Sequence, residues 1–137
     1  MRTMFVACSL LILSGCAGLP APDPNQAWID LTPHPDESLH AVEVDERSWA
    51  DKRYFEVSPG SHELTVRYQF PVAPGNIGPV SEPLWRDCQL NVKYKDFNAG
   101  QRYQLKAGST GLNPWVKLYD EQRRVVGKGL PAGCQRT

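Results

Sequence analysis

The run His34-Pro35-Asp36-Glu37-Ser38-Leu39-His40 packs two imidazoles and two carboxylates into seven positions. These are metal-capable types, but histidines six apart do not share a helix face, and Pro33 and Pro35 forbid a regular helix. Only a wrapped loop could gather them. A solvated loop is the simpler reading, so no metal or other cofactor is expected. Ser58, Ser61 and Ser109 lie near turn signals, with no histidine or aspartate partner evident from spacing. The chain has no Gly-x-Ser-x-Gly elbow, phosphate-binding loop, His-Glu-x-x-His or dinucleotide fingerprint. The expectation is a protein that is not an enzyme, unless distant residues converge on His62 in a cleft. Tryptophan is the other candidate, because an exposed indole stacks well on sugars and other flat faces. Trp49 lies in the excursion "DERSWADKR" and Trp85 ends a proline-rich stretch containing Asn76; these three are the candidate binding residues. Trp28 and Trp115 also border predicted strands, and any tryptophan in a small β-domain can instead fill its core.

The four cysteines divide by position. A short basic start, Met1-Arg2, precedes an apolar run from Met4 to Leu13. Ten residues rise about 15 Å as a helix, half a bilayer's hydrocarbon core, which suits a signal peptide and not a span. The run ends in Leu13-Ser14-Gly15-Cys16, which resembles the bacterial lipobox. The resemblance implies cleavage before Cys16, a diacylglyceryl group on its thiol and acylation of the new amino group. Three acyl chains hold far more firmly than one, at ~0.8 kcal/mol per buried CH₂. Ala17 follows where an aspartate would mark inner-membrane retention, so the resemblance implies the outer membrane, lipid-anchored and facing the periplasm. Residues 16–26 then read as the lipidated cysteine and a tether, with Pro20, Pro22 and Pro24 favouring extended backbone. Cys8 leaves with the signal peptide, and the even remainder, Cys88 and Cys134, reads as a disulfide in an oxidising compartment.

Residues 1–15 as signal peptide, 16–26 as linker and 27–137 as one folded domain account for the chain. Of 15 basic residues only Arg2 is lost, so 14 face 15 acidic ones in the mature chain. That balance, with no run of Lys or Arg, excludes nucleic acid as a natural partner.

The domain is β-rich. In "SHELTVRYQF", Leu64, Val66, Tyr68 and Phe70 alternate with Glu63, Thr65, Arg67 and Gln69, the period of a half-buried strand. Cys88, Leu90, Val92 and Tyr94 share one face of "RDCQLNVKYKDF", and Tyr103 and Leu105 one face of "QRYQLKAG". "AWIDLTP" and "HAVEVDE" are shorter strands. Ser58-Pro59-Gly60-Ser61 predicts a hairpin between "RYFEV" and "SHELTVRYQF". A second is expected across "NAG", between "RDCQLNVKYKDF" and "QRYQLKAG", and a third across Asp120-Glu121-Gln122. The stretch Pro71–Pro83 reads as a long loop, either functional or crossing between sheets. With no convincing helix, the expected fold is an antiparallel β-sandwich of seven or eight strands.

"VEVDERSWADKRYFEVSPGSHELTVRY" resembles the small β-sandwich modules of the PEGA type and related envelope lipoproteins. The matching pieces are Val44-Asp45 and Pro59-Gly60-Ser61-His62-Glu63-Leu64-Thr65-Val66, with Glu46 where glycine is usual. "FNAGQRYQLKA", from Phe97 to Ala107, resembles a later element of such lipoproteins. The resemblance implies that His62 bonds backbone at the Pro-Gly turn. It also implies a binding or accessory module for another cell-envelope protein; the alternative is a glycan or small-ligand module using exposed tryptophans.

Overall fold

The structure, a computed structural model, describes residues 18–72 and 84–136. Cys16 and the signal segment, and Asn76 with the rest of 73–83, lie outside the described residues. The described chain is all-β: β1 (Ala27–Thr32), β2 (Ser38–Val44), β3 (Arg47–Ser48), β4 (Tyr54–Val57), β5 (Gly60–Val72), β6 (Leu84–Phe97), β7 (Arg102–Thr110), β8 (Asn113–Tyr119) and β9 (Val125–Arg136). All nine belong to one sheet, in the order β3-β2-β5-β6-β9-β8-β7-β1-β4.

The expectation of a purely antiparallel sheet needs correction, because β1 and β7 run parallel. The reason is local. Gly100 N donates to Gln26 O at 2.9 Å and Trp28 N to Gln101 O at 3.0 Å, so β1 sets out from the connection that also launches β7. Ile29 then lies opposite Tyr103 and Leu31 opposite Leu105. Two of the three expected hairpins also fail. Strand β4 pairs with β1, and β5 pairs with β2 and β6, so Ser58-Pro59-Gly60-Ser61 turns a corner and not a hairpin. Likewise β6 pairs with β5 and β9, and β9 and β8 stand between it and β7 in the sheet. The third, β8–β9 across Asp120, does form, with the Asp120 carboxylate accepting from the backbone of Gln122 and Arg124. Residues 73–83 join directly paired strands, since β5 and β6 stay in register up to Val72 opposite Leu84; they are not a crossover.

One continuous ladder encloses one core because the sheet rolls. Near its two edges β2 touches β4. Ala41 N donates to Lys52 O at 3.0 Å and Trp49 N to Val42 O at 2.9 Å, so the link between β3 and β4 stitches the two ends together. The inward rows match the alternation of the sequence: Leu64, Val66, Tyr68, Phe70, Cys88, Leu90, Val92 and Leu105 are fully buried. Edge-on contacts among Phe97, Tyr94 and Tyr103 fill one end, at centroid distances of 5.0 to 6.0 Å. The Tyr103 hydroxyl accepts from Asn98 N at 3.0 Å, bracing the connection from which β1 and β7 depart.

Cys88 and Cys134 are directly opposite across β6 and β9, and their sulfurs are bonded. The bridge spans 46 residues of sequence, for which loop-closure entropy gives about 4 kcal/mol. A Cys88→Ala/Cys134→Ala variant is expected to lose about that much stability in urea titration. A loss under about 1 kcal/mol would show that β9 is held without the bridge.

Candidate functional site

Sequence spacing gave His62 no partner, but the fold gives it two. The turn between β2 and β3 is Asp45-Glu46, with φ of 52° and 67° and with Val44 paired to Arg47 across it. Positive φ at both central residues is the pattern of a type I′ hairpin, whose twist matches that of its strands. Asp45 N donates to Glu63 O and Glu63 N to Asp45 Oδ1, both at 2.8 Å, so the turn is clasped to β5. That places Asp45 Oδ2 2.6 Å from His62 Nδ1. On the other side of the ring, Nε2 lies 3.1 Å from Ser58 Oγ and 2.8 Å from the Ser58 carbonyl oxygen.

Ser58, His62 and Asp45 thus form a serine–imidazole–carboxylate line, the arrangement of a nucleophile, its base and an orienting acid. The oxygen nearer Nε2 is the Ser58 carbonyl and not the hydroxyl. A base needs a lone pair on Nε2 facing the serine proton, but the Ser58 carbonyl lone pairs already face that nitrogen. Both ring nitrogens are engaged, Nδ1 by the Asp45 carboxylate and Nε2 by the Ser58 carbonyl and hydroxyl. The imidazole is then a clip between the β2–β3 turn and the corner at Ser58. The sequence motif for it was Val-Asp followed by Pro-Gly-x-His, and the backbone bond expected of His62 is present. The adjoining open groove is lined by Val44, Asp45, Arg47, Ser48 and Trp49, and by neither Ser58 nor His62.

The tryptophans do not share a platform. Trp49 packs against the core, its Nε1 donating to Tyr54 O at 2.6 Å and its ring meeting Tyr54 edge-on. Trp85 is 44% exposed, opposite Pro71 on β5. Trp49 bonds to β2 at Val42, roughly 20 Å along the strands from that level. Trp28 is buried, stacked on Tyr54 at 4.2 Å, with the Arg102 guanidinium 5.6 Å from its ring centroid. In the His34–His40 stretch, Glu37 accepts from the buried Tyr68 hydroxyl, and burial together with that bond pushes the phenol's pKa up. His40 sits on β2 opposite Arg67. Among the described residues, no three His, Cys, Asp or Glu side chains gather as metal ligands.

A polar groove flanks the disulfide, lined by Arg67, Asp87, Gln89, Ala132, Gly133 and Cys134. Asp87 is buried, and both of its oxygens accept from Arg67, at 2.5 to 3.0 Å, with Gln69 adding a further bond. The Arg67 hydrogen bonds hold the Asp87 carboxyl below the usual carboxylate range, and the His62 bond does the same for Asp45. No protein-family model, curated protein or solved structure matches this chain.

Two outcomes follow. Glu46 bears a left-handed backbone without glycine's freedom, so Glu46→Gly is expected to raise stability by about 1 kcal/mol in urea titration. A loss of stability would show that the Glu46 side chain contributes more than its backbone costs. Carboxyls depressed in the fold add stability that is fully present above the ordinary carboxylate pKa of ~3.9 and is lost as pH falls through their lower folded values. The urea midpoint should therefore drop steeply below about pH 4. Asp87→Asn should flatten that drop, and equal acid sensitivity in both proteins would contradict the pairing.

Proposed function

We propose that the chain is a lipid-anchored outer-membrane module facing the periplasm, acting without catalysis as a binding or accessory partner of another cell-envelope protein. Cysteine usage carries this reading. Cys88 and Cys134 are bonded to each other, as suits an oxidising compartment, while Cys16 stands in the lipobox-like Leu13-Ser14-Gly15-Cys16. The rolled sheet, with its two arms packed on one core, supports a sandwich-like module of the PEGA type. So does the meeting of Val44-Asp45 with Pro59-Gly60-Ser61-His62, because the matching pieces join at one clip. A non-catalytic role is supported by the Ser58 carbonyl, which takes the position at His62 that a reacting serine proton needs. The exposed Trp85, beside residues 73–83, favours glycan or small-ligand binding as the second reading.

Fractionation and cross-linking in intact cells test this together. The wild-type chain should sediment with outer membranes and cross-link to one dominant envelope protein, whereas Cys16→Ala should appear in the soluble periplasm. Membrane retention of Cys16→Ala would contradict the anchor, and recovery of glycan fragments with no stoichiometric protein would move the assignment to Trp85.

A further inference from the structure

The near-neutral charge of the chain conceals a segregation that only the sheet reveals. Strands β7, β8 and β9 contain no Asp or Glu but carry Arg102, Lys106, Lys117, Lys128 and Arg136. Lys106 lies directly opposite Lys117, and Lys117 directly opposite Lys128. Lys106 and Lys117 alternate with the buried Leu105, Ala107, Val116 and Leu118, and Lys128 is paired with Lys117, so the three share the outer face. Like charges directly opposite one another destabilise a sheet. None of the three forms an ion pair with a described residue. The row continues to Lys93 on β6, which lines an open groove with Lys128, before it meets a carboxylate at Glu63, opposite Lys93.

The setting is amphipathic. The Lys106 ammonium lies 5.1 Å from the Tyr119 ring centroid and the Lys117 ammonium 5.0 Å from that of Trp115. Leu130, two positions beyond Lys128 on the same face, is 72% exposed. Lysines on aromatic stems beside a protruding leucine suit the boundary between headgroups and acyl chains.

We infer that the outer face of β7–β8–β9 docks on the anionic headgroups of the phospholipid membrane to which the chain is tethered, with Lys106, Lys117 and Lys128 as its contacts. This rests on the anchored reading for one argument only, proximity. Asp23 N donates to Glu56 at 2.8 Å, so the N-terminal segment is pinned to the domain there, and the seven steps back to Cys16 reach at most ~25 Å. An anchored domain therefore stays within reach of the headgroups, and its cationic face is the one they attract. Such docking would turn the opposite arm, β2 and β5, toward the periplasm and its partner.

The test is lysine labelling of the lipidated chain by a membrane-impermeant amine reagent, read residue by residue by mass spectrometry. Vesicles of phosphatidylcholine alone are compared with vesicles containing phosphatidylglycerol. Labelling of Lys106, Lys117 and Lys128 is expected to fall about three-fold or more in the anionic vesicles and to recover in high salt, while Lys52 is unchanged. Equal labelling in both vesicle types would overturn the inference, as would protection by soluble anionic glycan and none by vesicles. Flotation with phosphatidylcholine vesicles reports the lipid anchor separately, so its failure would count against the anchored reading while the labelling contrast still decides the face.

Discussion

Leu64, Val66, Tyr68 and Phe70 on β5 and Leu90 and Val92 on β6 are fully buried, and the described chain offers no helix to cover them. The cover has to come from the far arm of the same sheet. The long strands β5 and β6 each carry one apolar face, and a single sheet can cover such faces by rolling upon itself. Ile29, Phe55, Tyr103, Leu105 and Leu118 arrive from the other arm to complete a single core. Closure fixes much else. It sets β1 beside β7 in parallel and forces the Ser58 corner in place of a hairpin. It also brings the link after β3 across to β4, with Trp49 packed at the seam.

The features with chemical interest are consequences of that closure. The clip of Asp45, His62 and Ser58 joins a turn at one end of β2 to the corner where the chain leaves β4 for β5. Its central ring ties two turns together, with a backbone carbonyl nearer the imidazole than the hydroxyl is. The lysine row arises in the same way. Residues 106, 117 and 128 come into line only because β7, β8 and β9 pair in one particular register.

The strands themselves were legible in the sequence, since a period of two survives wherever one face is buried, and β5 and β6 show it plainly. The inward orientation of Cys88 could be read for the same reason, and the Cys88–Cys134 bridge from the even remainder of cysteines. Strand partners were not legible. Ser-Pro-Gly-Ser and Asn-Ala-Gly are competent hairpin turns locally, and only the need to cover the far arm turns them into a corner and a crossing. The Asp45–His62 contact spans 17 positions and depends on a left-handed Asp-Glu turn, where Glu46 in place of glycine concealed the geometry. Trp49 and Trp85 looked equivalent as isolated aromatics. Their separation follows from register, which composition does not encode.

The central claim is a disulfide-closed β-domain anchored through Cys16, and its most direct test is the intact mass of the chain extracted from membranes without reductant. The account predicts loss of residues 1–15, a triacylated Cys16, and a remainder lighter by the two hydrogens of the Cys88–Cys134 bridge. An unprocessed Met1, or an unmodified Cys16 with Cys88 and Cys134 as free thiols, would contradict it.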